Sequence, residues 1–383
     1  MARRYIKLGD IATYINGYAF KPKDRGSKGL PIIRIQDLTG NSYDKGYYDG
    51  DYPSKIEINN GDILISWSAS LGVYIWNSGK ALLNQHIFKV DFDKEAINKD
   101  YFVCAVQFSL RKLKNLTHGA TMKHIVKKDF ENTLIPYPDS ETQQKIASTL
   151  DNLKRIIKFR KLELTKLDEL IKARFVEMFG NYPNNEKSWP VGKIKDLVLD
   201  VRYGTSKKAT DGTSGKYPYL RMNNITYDGN LNLSDLKTID LPLEDLEKYT
   251  VQKGDLLFNR TNSRDLVGKT CVYDLDKTMV LAGFIIRVRL DTTVANPVFV
   301  SKFLNTGYSK LLLRTICKNA SGQSNINAKE MQNIKIYVPP ISLQNEFANF
   351  VQQVDKSKFE NIVYLNKTLS MKILGQLGDV FRD

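Results

Sequence analysis

The sequence predicts an α+β chain in which two tandem pseudo-repeated α+β domains are joined by two long helices forming an antiparallel coiled coil. Three observations predict it. The chain repeats itself in matched blocks. Each half carries short β-branched and aromatic runs bounded by Gly, Asp, Asn and Pro. Each half also closes on a long stripe of apolar residues at alternating steps of four and three.

In chain order, Lys7–Ile11 reads KLGDI against KIKDL at Lys193–Leu197, each followed by a strand-like run and a glycine, Gly17 or Gly204. Leu30–Leu38, LPIIRIQDL, matches Tyr217–Ile225, YPYLRMNNI, with a proline at the strand entry. Asn60–Ser66, NGDILIS, matches Lys253–Asn259, KGDLLFN, a Gly-Asp turn feeding a continuous apolar strand. Leu83–Val90, LNQHIFKV, falls against Leu281–Val288, LAGFIIRV. From Ile125 against Ile326 to Asp151 against Gln352 the halves align without gaps, with Pro138 opposite Pro339. Duplication with loop insertions explains blocks matched in the same order. Strands are expected at Ile63–Trp67, Ile87–Phe92, Leu256–Phe258 and Val280–Val288. Helices are expected at Lys99–Leu116 and Pro297–Ile316.

After Pro138 the pattern becomes a helix with Ser140 as N-cap and one apolar stripe from Ile146, Leu150, Leu153 and Ile157 through Leu164, Leu167 and Ile171 to Phe175 and Met178. Gly180, Asn181 and Pro183 supply its stop. The second copy starts near Ser342 and runs through Phe347, Val351 and Val354, a polar middle at Lys358 and Asn361, then Leu365, Leu369, Ile373, Leu377 and Val380. A helix of roughly forty residues is about 60 Å long, more than one small domain covers, so its stripe needs a partner helix. The other repeat's helix is the equal partner, and the globular half between them favours antiparallel pairing, with the two halves at opposite ends of a rod. The expected division is 1–140, 141–180, 181–341 and 342–383.

Composition narrows the function. Lys and Arg number 57 against 42 Asp and Glu, a formal charge of +15 that favours a polyanionic partner. Cys104, Cys271 and Cys317 lack CxxC spacing, so neither a disulfide framework nor a cysteine zinc site is indicated. No apolar run is long enough to cross a bilayer and the start lacks a signal-peptide core, so the expected location is the cytoplasm.

Catalytic signatures fail one by one. Gly268-Lys269-Thr270 has the ending of a phosphate-binding loop, but Ser263 stands where its first glycine belongs. Pro138-Asp139-Ser140-Glu141 resembles nuclease carboxylates, yet Gln143 replaces the needed lysine and the segment reads as a helix entry. There is no GxGxxG after a strand and no Asn or Asp followed by Pro-Pro-aromatic. His86, His118 and His124 all lie in the first half and cannot serve a catalyst shared by both. No catalytic residue and no metal ligand is assigned.

Where matched strands end in unlike polar residues, discrimination between DNA sequences can reside. The first half offers Arg34, Gln36, Ser66, Ser68, Asn84, Gln85, His86, Thr121 and Lys123. The second offers Arg202, Tyr203, Thr205, Lys207, Lys208, Arg221, Asn223, Asn224, Asn259, Arg260, Asn262, Arg264, Gln323, Ser324 and Asn325. Arg reads guanine bidentately and Asn or Gln reads adenine, while lysines and hydroxyls anchor phosphates. Halves that differ at these positions predict two unlike half-sites rather than a palindrome.

The repeat, the paired helices and the phrases LLNQHIFKV, GDILIS, HGATMKHI and IPYPDSETQQKIASTLDNL resemble the specificity subunit of Type I restriction-modification systems over essentially the whole chain. The resemblance implies two target recognition domains, each reading half of a split duplex sequence, and helices that fix the spacer. It implies two methyltransferase subunits docked per chain, with S-adenosylmethionine bound on that partner and methylation at adenine N6. It also implies a restriction subunit driven by ATP and Mg, with no cofactor on the chain itself. A different class of reading is a coiled-coil scaffold whose basic surface binds acidic protein partners.

Overall fold

A computed structural model describes residues 4–42, 44–68, 70–116, 126–210, 215–320 and 322–364. The chain forms two compact units, unit 1 from Met1–Arg160 with Tyr364–Asp383 and unit 2 from Lys161–Val363.

Unit 1 opens with β1 (Tyr5–Lys7), α1 (Leu8–Ile11) and β2 (Thr13–Asn16). β3 (Leu30–Ile33), α2 (Ile35–Thr39), β4 (Tyr47–Tyr48) and β5 (Glu57–Ile58) follow. Next come β6 (Ile63–Ser66), β7 (Gly72–Ile75), β8 (Ala81–Leu83) and β9 (Ile87–Asp91). α3 (Lys99–Leu116), α4 (Lys127–Glu131) and β10 (Leu134–Pro136) lead into α5 (Ser140–Phe179). The strands pair as β2-β9-β6-β7, as β4-β3-β8-β5 and as β1-β10, with β3 and β8 parallel. The continuous apolar run of β6 is buried throughout because its sheet is covered by a core that includes Phe102 and Val106 of α3 and Phe130 of α4.

Unit 2 begins with β11 (Val191–Lys193), β12 (Val198–Tyr203), β13 (Tyr217–Leu220) and β14 (Lys237–Ile239). It continues with α6 (Leu243–Tyr249), β15 (Thr250–Val251), β16 (Leu256–Asn259) and β17 (Thr261–Asn262). β18 (Thr270–Val272), β19 (Met279–Leu281), β20 (Ile285–Leu290), α7 (Pro297–Leu304) and α8 (Gly307–Ile316) follow. β21 (Lys318–Ala320), β22 (Gln323–Asn325), α9 (Ala328–Gln332), β23 (Lys335–Tyr337) and α10 (Ile341–Val363) complete the unit.

Its sheets run β12-β20-β16-β18, β14-β13-β19-β15 and β11-β23, again with one parallel pair, β13 and β19. This is the connectivity of unit 1, which is what duplication requires. A further sheet, β17-β22-β21, belongs to a stretch whose unit 1 counterpart lies partly outside the described residues.

The shared framework rests on shared local chemistry. Gly61 and Gly254 both adopt left-handed φ, 89° and 92°. The following Asp62 and Asp255 carboxylates accept from the Asn59 and Gln252 backbone N–H, each at 2.8 Å, closing the same turn. Gln143 and Gln344 are buried at the starts of α5 and α10. Gln143 accepts from the Asn98 N–H at 2.9 Å and donates to the Pro138 carbonyl at 2.9 Å. Gln344 accepts from the Asn296 N–H at 2.9 Å and donates to the Pro339 carbonyl at 2.8 Å.

Some local expectations are corrected. The cap of α5 is Asp139, which accepts from the Thr142 N–H at 2.8 Å, and Ser140 is already helical. The Val280–Val288 run is two strands, β19 and β20, because the chain turns at Ala282, whose carbonyl accepts from the Ile285 N–H at 2.9 Å. The Pro297–Ile316 helix is broken into α7 and α8. Thr306 stops the first and caps the second, accepting from the Ser309 N–H at 3.2 Å. Lys269 is a buried strut donating to the Met222 carbonyl at 2.9 Å, with its basicity lowered by burial.

Within unit 2 the last part of α5 runs antiparallel to α10. Phe175 meets Phe347 edge-on at 5.4 Å, Arg174 pairs with Glu346 at 3.0 Å, and, farther back on α5, Asp168 pairs with Lys358 at 2.7 Å. Val351 and Val354 are buried in the same core as Ile171 and Met178. The polar middle of α10 is therefore a deliberate contact. Burial opposes the Lys358 charge, but hydrogen bonds to Asp168 and Asp355 outweigh it and hold the ammonium above the usual lysine range. Such a partly buried ion pair fixes register more than it adds stability. The stripe residues from Leu365 onward lie outside the described residues. Phe347→Ala removes an aromatic ring from the unit 2 core and is expected to cost about 3–5 kcal/mol, read as a lowered urea midpoint for this unit.

Candidate nucleic-acid interface

In each unit the ends of three matched strands converge on one turn. In unit 1, Tyr18 N–H donates to the Leu83 carbonyl at 2.8 Å, Gln85 N–H to the Tyr18 carbonyl at 2.9 Å, and Trp67 N–H to the His86 carbonyl at 3.2 Å. In unit 2, Thr205 N–H donates to Leu281 at 2.8 Å, Gly283 N–H to Thr205 at 2.7 Å, and Arg260 N–H to Phe284 at 2.9 Å. A Cβ on Gly17 or Gly204 would collide with the carbonyl oxygens of Leu83 and Asn84, or of Leu281 and Ala282, which is why the glycine recurs in both halves.

Unit 1 presents Asn84, Gln85 and His86 on this turn. Gln85 is exposed, Asn84 is half-buried with its side-chain oxygen accepting from the Gln85 N–H at 2.9 Å, and His86 takes a positive φ of 76°. The His86 ring lies 5.0 Å from Trp67, edge to face, and its buried Nδ1 has no protein partner. Gln36 is exposed. Arg34, Ser66 and Ser68 are buried and are withdrawn as contacts for a duplex. Arg34 folds back onto the Asp44 carbonyl and lies 3.5 Å from Asp37, and Ser66 donates to the Ser70 carbonyl. Thr121 and Lys123 lie outside the described residues.

Unit 2 builds a different surface on the same framework. Arg260 is half-buried between β16 and β17, its guanidinium 4.8 Å from the Tyr203 ring centre and donating to the Asn325 side-chain oxygen at 3.1 Å. Asn325 in turn donates to Thr261 Oγ1 at 2.8 Å, and the Tyr203 hydroxyl accepts from the Ala328 N–H at 2.9 Å. Of the other unit 2 candidates, Arg202, Lys207, Lys208, Asn223, Arg264 and Gln323 are exposed. Arg202 pairs with Asp200 at 3.1 Å, Lys207 with Asp245 at 3.2 Å, and Arg221 with Asp235 at 2.7 Å.

Thr205, Asn224, Asn259 and Ser324 are buried and are likewise withdrawn. Asn259 donates to the Thr261 and Phe284 carbonyls, both at 3.2 Å, and accepts from Asn262 at 2.9 Å, while Asn224 donates to the Asn232 carbonyl at 2.8 Å. These side chains hold the loops that carry the others. Sequence reasoning missed Trp67, Thr261 and the exposed Phe284 as members of the two clusters. The repeat itself carried the signal for Phe284, which stands opposite His86.

A cavity of about 560 Å³ lies elsewhere in unit 2, lined by residues that include Phe175, Tyr182, Lys302, Tyr308 and Lys310 and by none of the Tyr203–Arg260–Asn325 cluster. Lys310 donates to the Tyr227 carbonyl at 2.9 Å, and burial lowers its pKa to about 8. Among the described residues no group of His, Cys, Asp and Glu could hold a metal, and no helix is long and apolar enough to cross a membrane.

Gly204→Ala is expected to displace the Thr205–Lys208 loop at a cost of about 1–3 kcal/mol, visible as a lowered melting temperature and weaker duplex binding. The unfolded chain holds the Lys310 proton more tightly than the folded one, so stability rises with pH from about 8 toward the ordinary lysine value of roughly 10.4. Lys310→Met flattens that rise in urea midpoints measured at steps across the window.

A family model described as Type I restriction modification DNA specificity domain matches residues 4–169 and again residues 186–370. The EcoBI specificity subunit of Escherichia coli is 24% identical over 91% of this chain and 78% of its own length. The MjaVIII specificity subunit of Methanocaldococcus jannaschii is 24% identical over 91% and 85%. Among solved structures, the Type I restriction-modification S subunit of M. genitalium superposes with a TM-score of 0.57 at 14% identity, covering 100% of this chain and 97% of that one. A chain from a Type I system studied for complex assembly and conformational transition gives 0.63 at 17% identity, covering 99% and 97%. A model matched twice, once to each copy of a duplicated framework, places this chain in the family of Type I restriction-modification specificity subunits.

Proposed function

We propose that this chain is the non-catalytic DNA-reading subunit of a Type I restriction-modification complex, and that its two units recognise the unlike halves of a bipartite, asymmetric site. One observation supports the reading above the others. The same strand-end framework carries Trp67 and His86 in one unit, and Arg260, Tyr203 and Asn325 in the other. Two scaffolds built alike but faced differently suit two different base sequences. The exposed candidates, Gln36 and Gln85 in unit 1 and Arg202, Lys207, Lys208, Asn223, Arg264 and Gln323 in unit 2, form the proposed DNA-contacting set with Asn84, His86, Tyr203, Arg221, Arg260, Asn262 and Asn325.

In this proposal methyltransferase subunits, two per chain, dock on the protein and bring S-adenosylmethionine. A restriction subunit brings ATP and Mg, and the assembly works in the cytoplasm. The scaffold alternative gains no support from the relatives.

Mapping of methylated adenines in a host expressing this chain with its methyltransferase is expected to yield a split motif with two different halves, and a continuous palindrome would refute it. Duplex affinity of the complex is expected to fall steeply with salt, with a log–log slope of about −0.9 per phosphate contact.

A further inference from the structure

We propose that Arg260 is a specificity-determining residue that reads a guanine in the half-site recognised by unit 2, an inference that rests on the DNA-reading function above. Its guanidinium is fixed before any ligand arrives. The Tyr203 ring flanks one face at 4.8 Å, and the Asn325 side-chain oxygen takes one N–H at 3.1 Å. The backbone is held on both sides, with Arg260 N–H donating to the Phe284 carbonyl and its carbonyl accepting from the Ile326 N–H, each at 2.9 Å. Nε is buried and without a partner, so that edge faces the protein. Asn325 takes one of the two N–H groups of Nη2, and in this proposal its other N–H, together with one from Nη1, forms the edge offered to a ligand. Two parallel N–H groups there match the O6 and N7 acceptors that guanine presents in the major groove.

A phosphate would also accept from this edge, and the repeat decides between them. Both half-sites present phosphates, and in unit 2 the exposed cations Arg202, Lys207 and Lys208 can meet them without a guanidinium held rigid. The residue in the Arg260 position of unit 1 is Trp67, which has no cation and sits against His86. A group present in one reader and replaced by a ring in the other is assigned to the bases that differ. Rigid support by side chains that are themselves anchored, Asn325 on Thr261 and Tyr203 on Ala328, is what discrimination between bases requires.

The test uses the full chain co-expressed with its methyltransferase, comparing wild type with Arg260→Lys, Arg260→Ala and Asn325→Ser. The expected result is a motif degenerate at one guanine in one half, with the other half unchanged. Duplex binding should show discrimination at that position reduced about 10- to 100-fold. Arg260→Lys keeps the charge but not the fork, so it should lose discrimination like Arg260→Ala while keeping the salt slope. Asn325→Ser leaves the arginine in place and should show the same degeneracy in weaker form, which keeps the test decisive if Arg260→Ala does not fold.

A wild-type motif without guanine in either half overturns the proposal. So does a uniform loss of affinity across sequences with the slope reduced by about one, the mark of a phosphate contact. Full discrimination by Arg260→Lys also overturns it. In each of these cases the complex still reads DNA. If the wild-type complex neither methylates nor binds a split site, the function proposed above fails instead.

Discussion

The contact between Phe175 of α5 and Phe347 of α10 is the constraint around which unit 2 is organised. Phe347 also lies 5.4 Å from Phe179, and both α5 rings contact Phe299 of α7, so one aromatic cluster joins the incoming helix, the outgoing helix and the globular part. Apolar packing alone would tolerate a slide of one helix along the other. The Lys358–Asp168 pair opposes that slide, because an ammonium displaced by one turn would lose the α5 carboxylate and keep only Asp355 of its own helix. Fixing these helices fixes where the first strands of the unit begin, since Trp189, just before β11, donates its indole N–H to the Phe179 carbonyl at 3.1 Å.

The glutamines at the helix starts carry the same logic into each sheet core. Gln143 links α5 to the backbone just before α3, and Gln344 links α10 to the backbone just before α7. Each also takes up a proline carbonyl that the helix cannot satisfy. This accounts for the gap-free alignment of the closing segments. An insertion there would break a buried hydrogen bond at a cost of about 1–3 kcal/mol, whereas the loops between the upstream strands meet no such requirement and have drifted in length.

Much of the fold was legible because it rests on period and punctuation. The Gly-Asp turns, the buried strands β6 and β16, and the long α5 all announce themselves in residue spacing. What was not legible follows one pattern. Whether a polar side chain at a strand end faces out or in depends on individual hydrogen-bond partners that residue type does not mark. Asn259 turns inward onto the Thr261 and Phe284 carbonyls, and Arg34 turns back onto Asp37 and the Asp44 carbonyl. Asn224 fills the same kind of role within its own turn. Such contacts obey no local periodicity, so residue type selected the right neighbourhoods and could not separate the readers from the struts. Likewise, the break between α7 and α8 was hidden by apolar spacing that continues across Thr306, whose capping hydrogen bond outweighs that spacing.

Net charge locates little on this surface. Arg202, Lys207 and Arg221 each stand beside a carboxylate, so part of the basic excess near the unit 2 strand ends is already answered by the protein. Exposed pairs of this kind contribute little to stability, and their partners can be exchanged for phosphates at low cost. They therefore suit attraction to any duplex, falling off with salt and blind to sequence. Discrimination demands the opposite, a donor that cannot follow a mismatched base. Arg260 has an aromatic ring on one face, an amide at one edge and a buried Nε at another, so a wrong base would leave its remaining edge unmet instead of being accommodated. In the proposed reading the loose cations supply the affinity and the locked one the choice, a division of labour that the geometry of Arg260 suits.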